Sequence, residues 1–93
     1  MDTVKAMNSR YSTIKNQENI AKHGISFDAI SEFEFETAFT RIDSRFDYGE
    51  IRFVSYGMRN KRLHVLVWTQ RDDEVRPISF RKANKKERKR YEI

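Results

Sequence analysis

Residues 63–69, Leu-His-Val-Leu-Val-Trp-Thr, form an almost unbroken apolar run. Such a run reads as a central strand buried on both faces. Only short links, Arg59–Arg62 and Asp72–Glu74, separate it from its neighbours. Links this short admit antiparallel hairpins and exclude crossovers. The preceding segment, Ile51–Met58, alternates as a strand does. So does Val75–Lys82, which sets Val75, Pro77 and Ser79 against Arg76, Ile78 and Phe80. Pro77 has no amide to donate, which predicts an edge position for that last strand. Thr37–Asp43 reads as a further strand, which an alternation from Phe33 through Phe35 would start earlier. Asp43–Glu50 is a turn-rich connection. The sheet therefore has three or four antiparallel strands.

Helix signals flank these strands. Ser12 or Thr13 caps a helix running to about Lys22, and Gly24 suits its left-handed stop. Its apolar stripe, through Ile14, Glu18–Asn19 and Ala21, is weak. Ser26 starts a second short helix with Phe27, Ile30 and Phe33 on one face. Asn84 followed by Glu87 is a capping-box start for a short C-terminal helix. The expectation is one α+β domain over residues 1–93, with its helices on one face of a small sheet. Residues 1–10 are polar and expected to be poorly ordered. Trp68 and the phenylalanines are expected in the core.

Composition narrows the function. The 93 residues contain no Cys, which removes disulfides, cysteine nucleophiles and most zinc sites. No apolar stretch is long enough to span a bilayer and no signal core opens the chain, so a cytoplasmic location is expected. Charge is unevenly spread. Residues 1–50 carry six basic and nine acidic groups, whereas residues 51–93 carry thirteen and five. In Arg76–Tyr91, eight of sixteen residues are Lys or Arg. Guanidinium groups carried on a strand and a helix suit phosphate, and a surface of one sign attracts nucleic acid. A solvated basic helix without a ligand would show the same composition.

The chain resembles the BrnT family of toxins from bacterial type II toxin–antitoxin pairs. The resemblance rests on Lys15-x-x-x-Asn19-Ile20-x-Lys22-His23-Gly24-Ile25-Ser26-Phe27 and on Tyr48-Gly49-Glu50-x-Arg52-Phe53-x-x-x-Gly57. It continues through Arg62-Leu63-x-Val65-x-x-x-Thr69-x-Arg71. Its last element is Arg76-x-Ile78-Ser79-x-Arg81-Lys82-Ala83-x-x-x-Glu87-Arg88-x-x-Tyr91-Glu92. Two places depart from the family pattern. Asn8–Ser12 replaces an opening strand that ends in Phe-Glu-Trp-Asp, and Pro77 replaces an apolar residue. The resemblance implies a RelE-like fold and metal-independent cleavage of RNA that halts translation. It also implies neutralisation by a BrnA-type antitoxin with a ribbon-helix-helix DNA-binding domain. That partnership would give a heterotetramer of two toxins and two antitoxins, bound to operator DNA through the antitoxin. A non-catalytic nucleic-acid-binding or antitoxin-binding module, acting as a corepressor, is the competing reading.

Metal-free RNA cleavage needs a base for the 2′-hydroxyl, cations for the phosphorane and an acid for the leaving 5′ oxygen. Arg52, Arg71, Arg76 and Arg81 lie on or at the ends of adjacent predicted strands, within reach of a shared phosphate. They could instead pair with Glu50, Glu87 or Glu92. His23 titrates near neutrality and is a candidate acid or base, or a plain complement to a helix C-terminus. Tyr91 is a candidate proton donor or base-stacking ring, by analogy with C-terminal tyrosines of RelE-like toxins, or an anchor for the last helix. Lys22, Lys82, Lys85, Lys86 and Arg88 are candidate RNA-backbone contacts. Glu50 is expected to hold an arginine, Glu87 to cap the last helix and His64 to be packed or paired. Asp72-Asp73-Glu74 reads as a solvated turn rather than a metal site. No cofactor is expected.

Overall fold

The computed structural model describes residues 10–92. Four antiparallel strands, β1 (Phe39–Ile42), β2 (Arg52–Arg59), β3 (Arg62–Arg71) and β4 (Glu74–Lys82), form a meander in the order β1-β2-β3-β4. The apolar run occupies β3, with a strand on each side, as its composition requires. Both hairpin turns use two residues at positive φ: Asn60 and Lys61 at 51° and 62°, and Asp72 and Asp73 at 54° and 64°. Two consecutive left-handed residues make a turn whose twist matches that of the strands it joins. Pro77 does lie on an edge strand, beside a bulge: Val67 pairs with Ser79 while Trp68 pairs with Pro77, leaving Ile78 over. The bulge absorbs the missing amide without breaking the ladder.

Helix α1 (Thr13–His23) is capped by Ser12, whose Oγ accepts from the Lys15 amide. It ends at Gly24, where φ is 75°. It lies along the outer edge of β4. The Asn19 amide group donates to the Phe80 carbonyl at 2.9 Å and accepts from the Phe80 amide at 3.1 Å, as a neighbouring strand would. Asn19 also donates to the Ile25 carbonyl at 2.9 Å, and Asn16 accepts from the Phe27 amide at 2.7 Å. Two asparagines thus pin the chain after α1 to the sheet. Losing one would leave buried backbone groups unpaired, at about 1–3 kcal/mol each.

The second N-terminal element is a 3-10 helix (Phe27–Glu32), not an α-helix. Its buried residues explain the difference. Phe27, Ile30 and Phe33 recur every third position, which puts them on one side of a helix with three residues per turn. A further 3-10 turn (Phe35–Thr37) occupies the segment where alternation suggested an early strand. Arg10 donates its amide to the Val75 carbonyl at 2.9 Å beside β4, without strand geometry at residues 10–12. The rest of the opening segment, residues 1–9, lies outside the described residues.

Strand alternation divides the sheet into two faces. On the inner face Leu66 and Phe80 are fully buried against Phe27, Ile30 and Phe33. Full burial of side chains this large contributes about 1.5–3 kcal/mol each. Phe33 presses against Gly57, where an added Cβ would lie 2.7 Å from its ring. His64 is buried here with its Nδ1 at 2.8 Å from the Arg62 carbonyl, and burial lowers its pKa. Trp68 donates to the buried Ser55 hydroxyl at 2.9 Å, which in turn meets Thr40 at 2.7 Å.

The helices do not share one face. Helix α2 (Lys85–Tyr91) packs on the outer face, where Val54, Tyr56, Leu63, Val65 and Ala83 form a second cluster under Tyr91. Register dictates this. Pairing continues to Ala83, whose amide donates to the Leu63 carbonyl at 2.9 Å, so the chain leaves the sheet on the Arg81 side. Not every phenylalanine is core: Phe39 and Phe46 are 55% and 67% exposed.

Candidate active site

The outer face is built in rows across the strands. Phe39, Tyr56, Val65 and Arg81 align in one row, and Arg41, Val54, Val67 and Ser79 in the next. A third row sets Arg52 and Arg76 on either side of Thr69. Rows on one face lie about 7 Å apart, because same-face residues are two apart along a strand. Four arginines on three strands thus share one face.

Helix α2 closes one end of that face. Tyr91 stacks on Tyr56 with ring centroids 3.9 Å apart and flanks Phe39 at 5.5 Å. Arg41 donates to the Tyr56 hydroxyl at 3.1 Å. Arg81 makes a two-pronged pair with Glu87, at 2.7 and 2.8 Å. Glu87 does two jobs, because it also accepts from the Asn84 amide at 2.9 Å to complete the capping box. The hydrogen bond from Arg81 lowers the Glu87 pKa, and Glu87 raises that of Arg81. A fork fixed by a carboxylate keeps its direction, which suits it to hold a planar or tetrahedral anion at its remaining edge.

His23 ends α1 at the β4 edge. Its pKa is lowered, first by burial and then by the charges of Arg81 and Lys22. A helix C-terminus alone would favour the charged ring; here burial and the neighbouring cations favour the neutral one. The ring lies within electrostatic reach of Arg81, and these effects make it a weaker base than a free imidazole.

The fold brings the sequence-derived candidates together unequally. Arg81 and Tyr91 meet around Tyr56, while His23, at the end of α1, is linked to them only through the charge of Arg81. Arg52 is held at 3.1 Å by Glu50, and its guanidinium lies 3.9 Å from the Tyr48 ring centroid. Arg76 has a buried Nε that donates to no group among the described residues. Arg71 stands farther off, at the hairpin end opposite Glu74, exposed and lining a groove of about 380 Å³ with Glu50, Phe53 and Gln70. Lys22 and Lys82 flank the β4 edge, while Lys85, Lys86 and Arg88 project from α2 into solvent. Arg88 pairs with Glu92 at 3.5 Å.

Arg41 and Tyr56 were not among the candidates read from the sequence. Alternation places each on a strand, but only the β1–β2–β3–β4 register shows that they share the Arg81 face. Among the described residues no three His, Cys, Asp or Glu side chains converge on a possible metal position, and no helix is long and apolar enough to cross a membrane.

A search of curated proteins gives no match. A family model does match, over residues 11–87, which takes in β1 to β4, Arg41, Arg81 and Glu87 but stops short of Tyr91. With most of its length inside that match, the chain belongs to the BrnT family, the ribonuclease toxins of type II toxin–antitoxin systems.

Proposed function

We propose that this BrnT family member is a metal-independent endoribonuclease that halts translation, with its active site on the outer face around Tyr56 and Tyr91. The observation that carries the reading is the Arg41–Tyr56–Tyr91–Arg81–Glu87 cluster. It sets two guanidinium groups and the Tyr56 phenol on the sheet, with the Tyr91 phenol stacked over them from α2. Arg81 and Arg41 hold the scissile phosphate and take up the charge that grows as the 2′ oxygen attacks phosphorus. His23 accepts the 2′ proton. The bond from phosphorus to the 5′ oxygen breaks, and Tyr91 donates a proton to that leaving oxygen. The products are a 2′,3′-cyclic phosphate and a free 5′-hydroxyl. Arg52, Arg76 and Arg71 bind the strand beyond the cut, with Lys22, Lys82, Lys85, Lys86 and Arg88 as looser backbone contacts. The toxin is neutralised by a BrnA-type antitoxin with a ribbon-helix-helix domain, in a complex of two copies of each whose mass light scattering reads directly.

The test is cleavage of RNA by the purified chain in EDTA. Products ending in a 2′,3′-cyclic phosphate are expected without added metal. Activity that vanishes in EDTA and returns with magnesium would overturn the metal-free mechanism.

A further inference from the structure

The two edges of the sheet are finished differently. Along β4, the Asn19 side chain pairs with Phe80, the Arg10 amide bonds Val75, and Pro77 and the bulge disrupt the rest. Along β1 the edge is bare. The Asp43 amide donates inward to the Arg52 carbonyl at 2.8 Å, so by alternation the backbone groups of Thr40 and Ile42 point outward. Among the described residues nothing bonds to those outward groups. Large apolar side chains on β1 and the loop after it are exposed: Phe39 at 55%, Ile42 at 57% and Phe46 at 67%. The loop that carries Phe46 is braced rather than loose. Buried Asp43 accepts from the Arg45 guanidinium twice, at 2.9 Å each, and from the Tyr48 hydroxyl at 3.1 Å. A soluble chain usually blunts an exposed edge of this kind.

We propose that the β1 edge is the docking site of the antitoxin, which adds an extended acidic segment there as a further strand of the sheet. The inference rests on the family's toxin–antitoxin pairing and on the outer-face site. Outward N–H and C=O groups at strand spacing are matched by another polypeptide backbone, not by a nucleic acid. Arg41 sets the charge of the partner. It is the one charged residue of β1, it faces outward from the sheet plane beside Tyr56, and among the described residues it pairs with no carboxylate. An acidic side chain directly across from it would lie within about 5.5 Å, Cβ to Cβ. Apolar side chains would cover Phe39 on the same face and Ile42 on the other. Docking would then engage Arg41 and Phe39, which touch Tyr56 and Tyr91, so occupying the edge also disturbs the site.

The test uses the chain coexpressed with its cognate antitoxin. Amide exchange should slow at Thr40 and Ile42 in the complex relative to the free chain. Ile42→Pro removes one outward donor while sparing the inward ladder, and Ile42→Lys keeps the donor but charges the edge. By calorimetry both should weaken antitoxin binding by about tenfold or more, which is about 1.4 kcal/mol, with RNA cleavage and melting unchanged. Neither readout requires the chain to cleave RNA, so failure of the ribonuclease reading leaves this one testable. Unchanged exchange at β1 in the complex, with wild-type affinity for Ile42→Lys, overturns it. Protection of those amides in the free chain would assign the edge to a second copy instead. Loss of cleavage with binding intact would assign the patch to RNA.

Discussion

Around Phe33 on the inner face, aromatic rings meet edge to face. Phe33 stands at 83° to Phe35 and at 87° to Phe80, and Phe35 stands at 88° to Trp68. On the outer face the rings lie flat. Tyr91 is within 19° of parallel to Tyr56 and within 22° of parallel to Phe39. Interlocked rings fill volume in every direction, and here they bury Phe33 and Phe80 and half-bury Phe35 and Trp68. In this stack Tyr56 is buried beneath a half-buried Tyr91, and Arg41 bonds the Tyr56 hydroxyl. The same residue class builds a seal on one side and an arginine-flanked stack on the other. The difference lies in what each face meets: apolar 3-10 turns on one side, arginines and a short basic helix on the other.

This division predicts that stability and activity respond to different faces. Phe80→Ala should cost about 3–5 kcal/mol, a large share of the roughly 5–15 kcal/mol that holds a domain together. Tyr91→Ala, on a half-buried ring, should cost about 1–2 kcal/mol while removing most of the activity. Urea unfolding of the two variants checks this. Similar losses of stability would mean that the outer stack belongs to the core.

A smaller effect tests geometry against bulk charge. Arg81→Ala should slow cleavage about tenfold or more, the scale of losing one preorganised group in a transition state. Lys89→Ala, on the exposed side of α2, should change it little. Rates normalised to the folded fraction decide the matter. Equal effects would show that the face works only as a positive surface.

The architecture was largely legible because strands declare themselves locally. The apolar run of β3, the alternation of β2 and β4 and the short links Arg59–Arg62 and Asp72–Glu74 determine a meander before any contact is known. Ser12, Gly24 and the Asn84–Glu87 box mark helix ends by local hydrogen bonding, and each works as read. Other features were not legible. The spacing of Phe27, Ile30 and Phe33 fits both a helix face and a 3-10 turn, and the short span settles it only in the fold. The faces were hidden because they depend on register. Arg81 was visible as a basic residue in a recognisable element, yet Arg41 and Tyr56 join it only through pairings across three hairpins and loops. Asn19 was read as part of a weak stripe, because a side chain that imitates a strand has no sequence signature. The exposure of Phe39 and Phe46 was missed for a related reason: composition says how many large apolar residues exist, not which edge lacks a neighbour.

The smallest expected effect concerns how each helix is tied to the sheet. Helix α1 is held to β4 by the Asn19 amide, which does not titrate. Helix α2 is held by the Arg81–Glu87 pair, which does. The Glu87 pKa is lowered in the folded chain, chiefly by Arg81. A carboxylate lowered on folding stabilises the native state above its ordinary pKa of about 4.3, and that contribution disappears as pH falls through the lower folded value. Acid should therefore loosen α2 before α1. Glu87→Gln should mimic this at neutral pH, costing about 1 kcal/mol or less, since glutamine can still complete the capping box. Amide exchange is the direct measure. The Arg88 amide, bonded to the Asn84 carbonyl at 2.9 Å, should lose protection as pH falls below the ordinary carboxylate pKa of about 4.3 while amides in α1 keep theirs. In Glu87→Gln that pH dependence should flatten. Equal loosening of both helices, or an unchanged slope in the variant, would show that Glu87 holds α2 through its cap alone and that Arg81 is free of it.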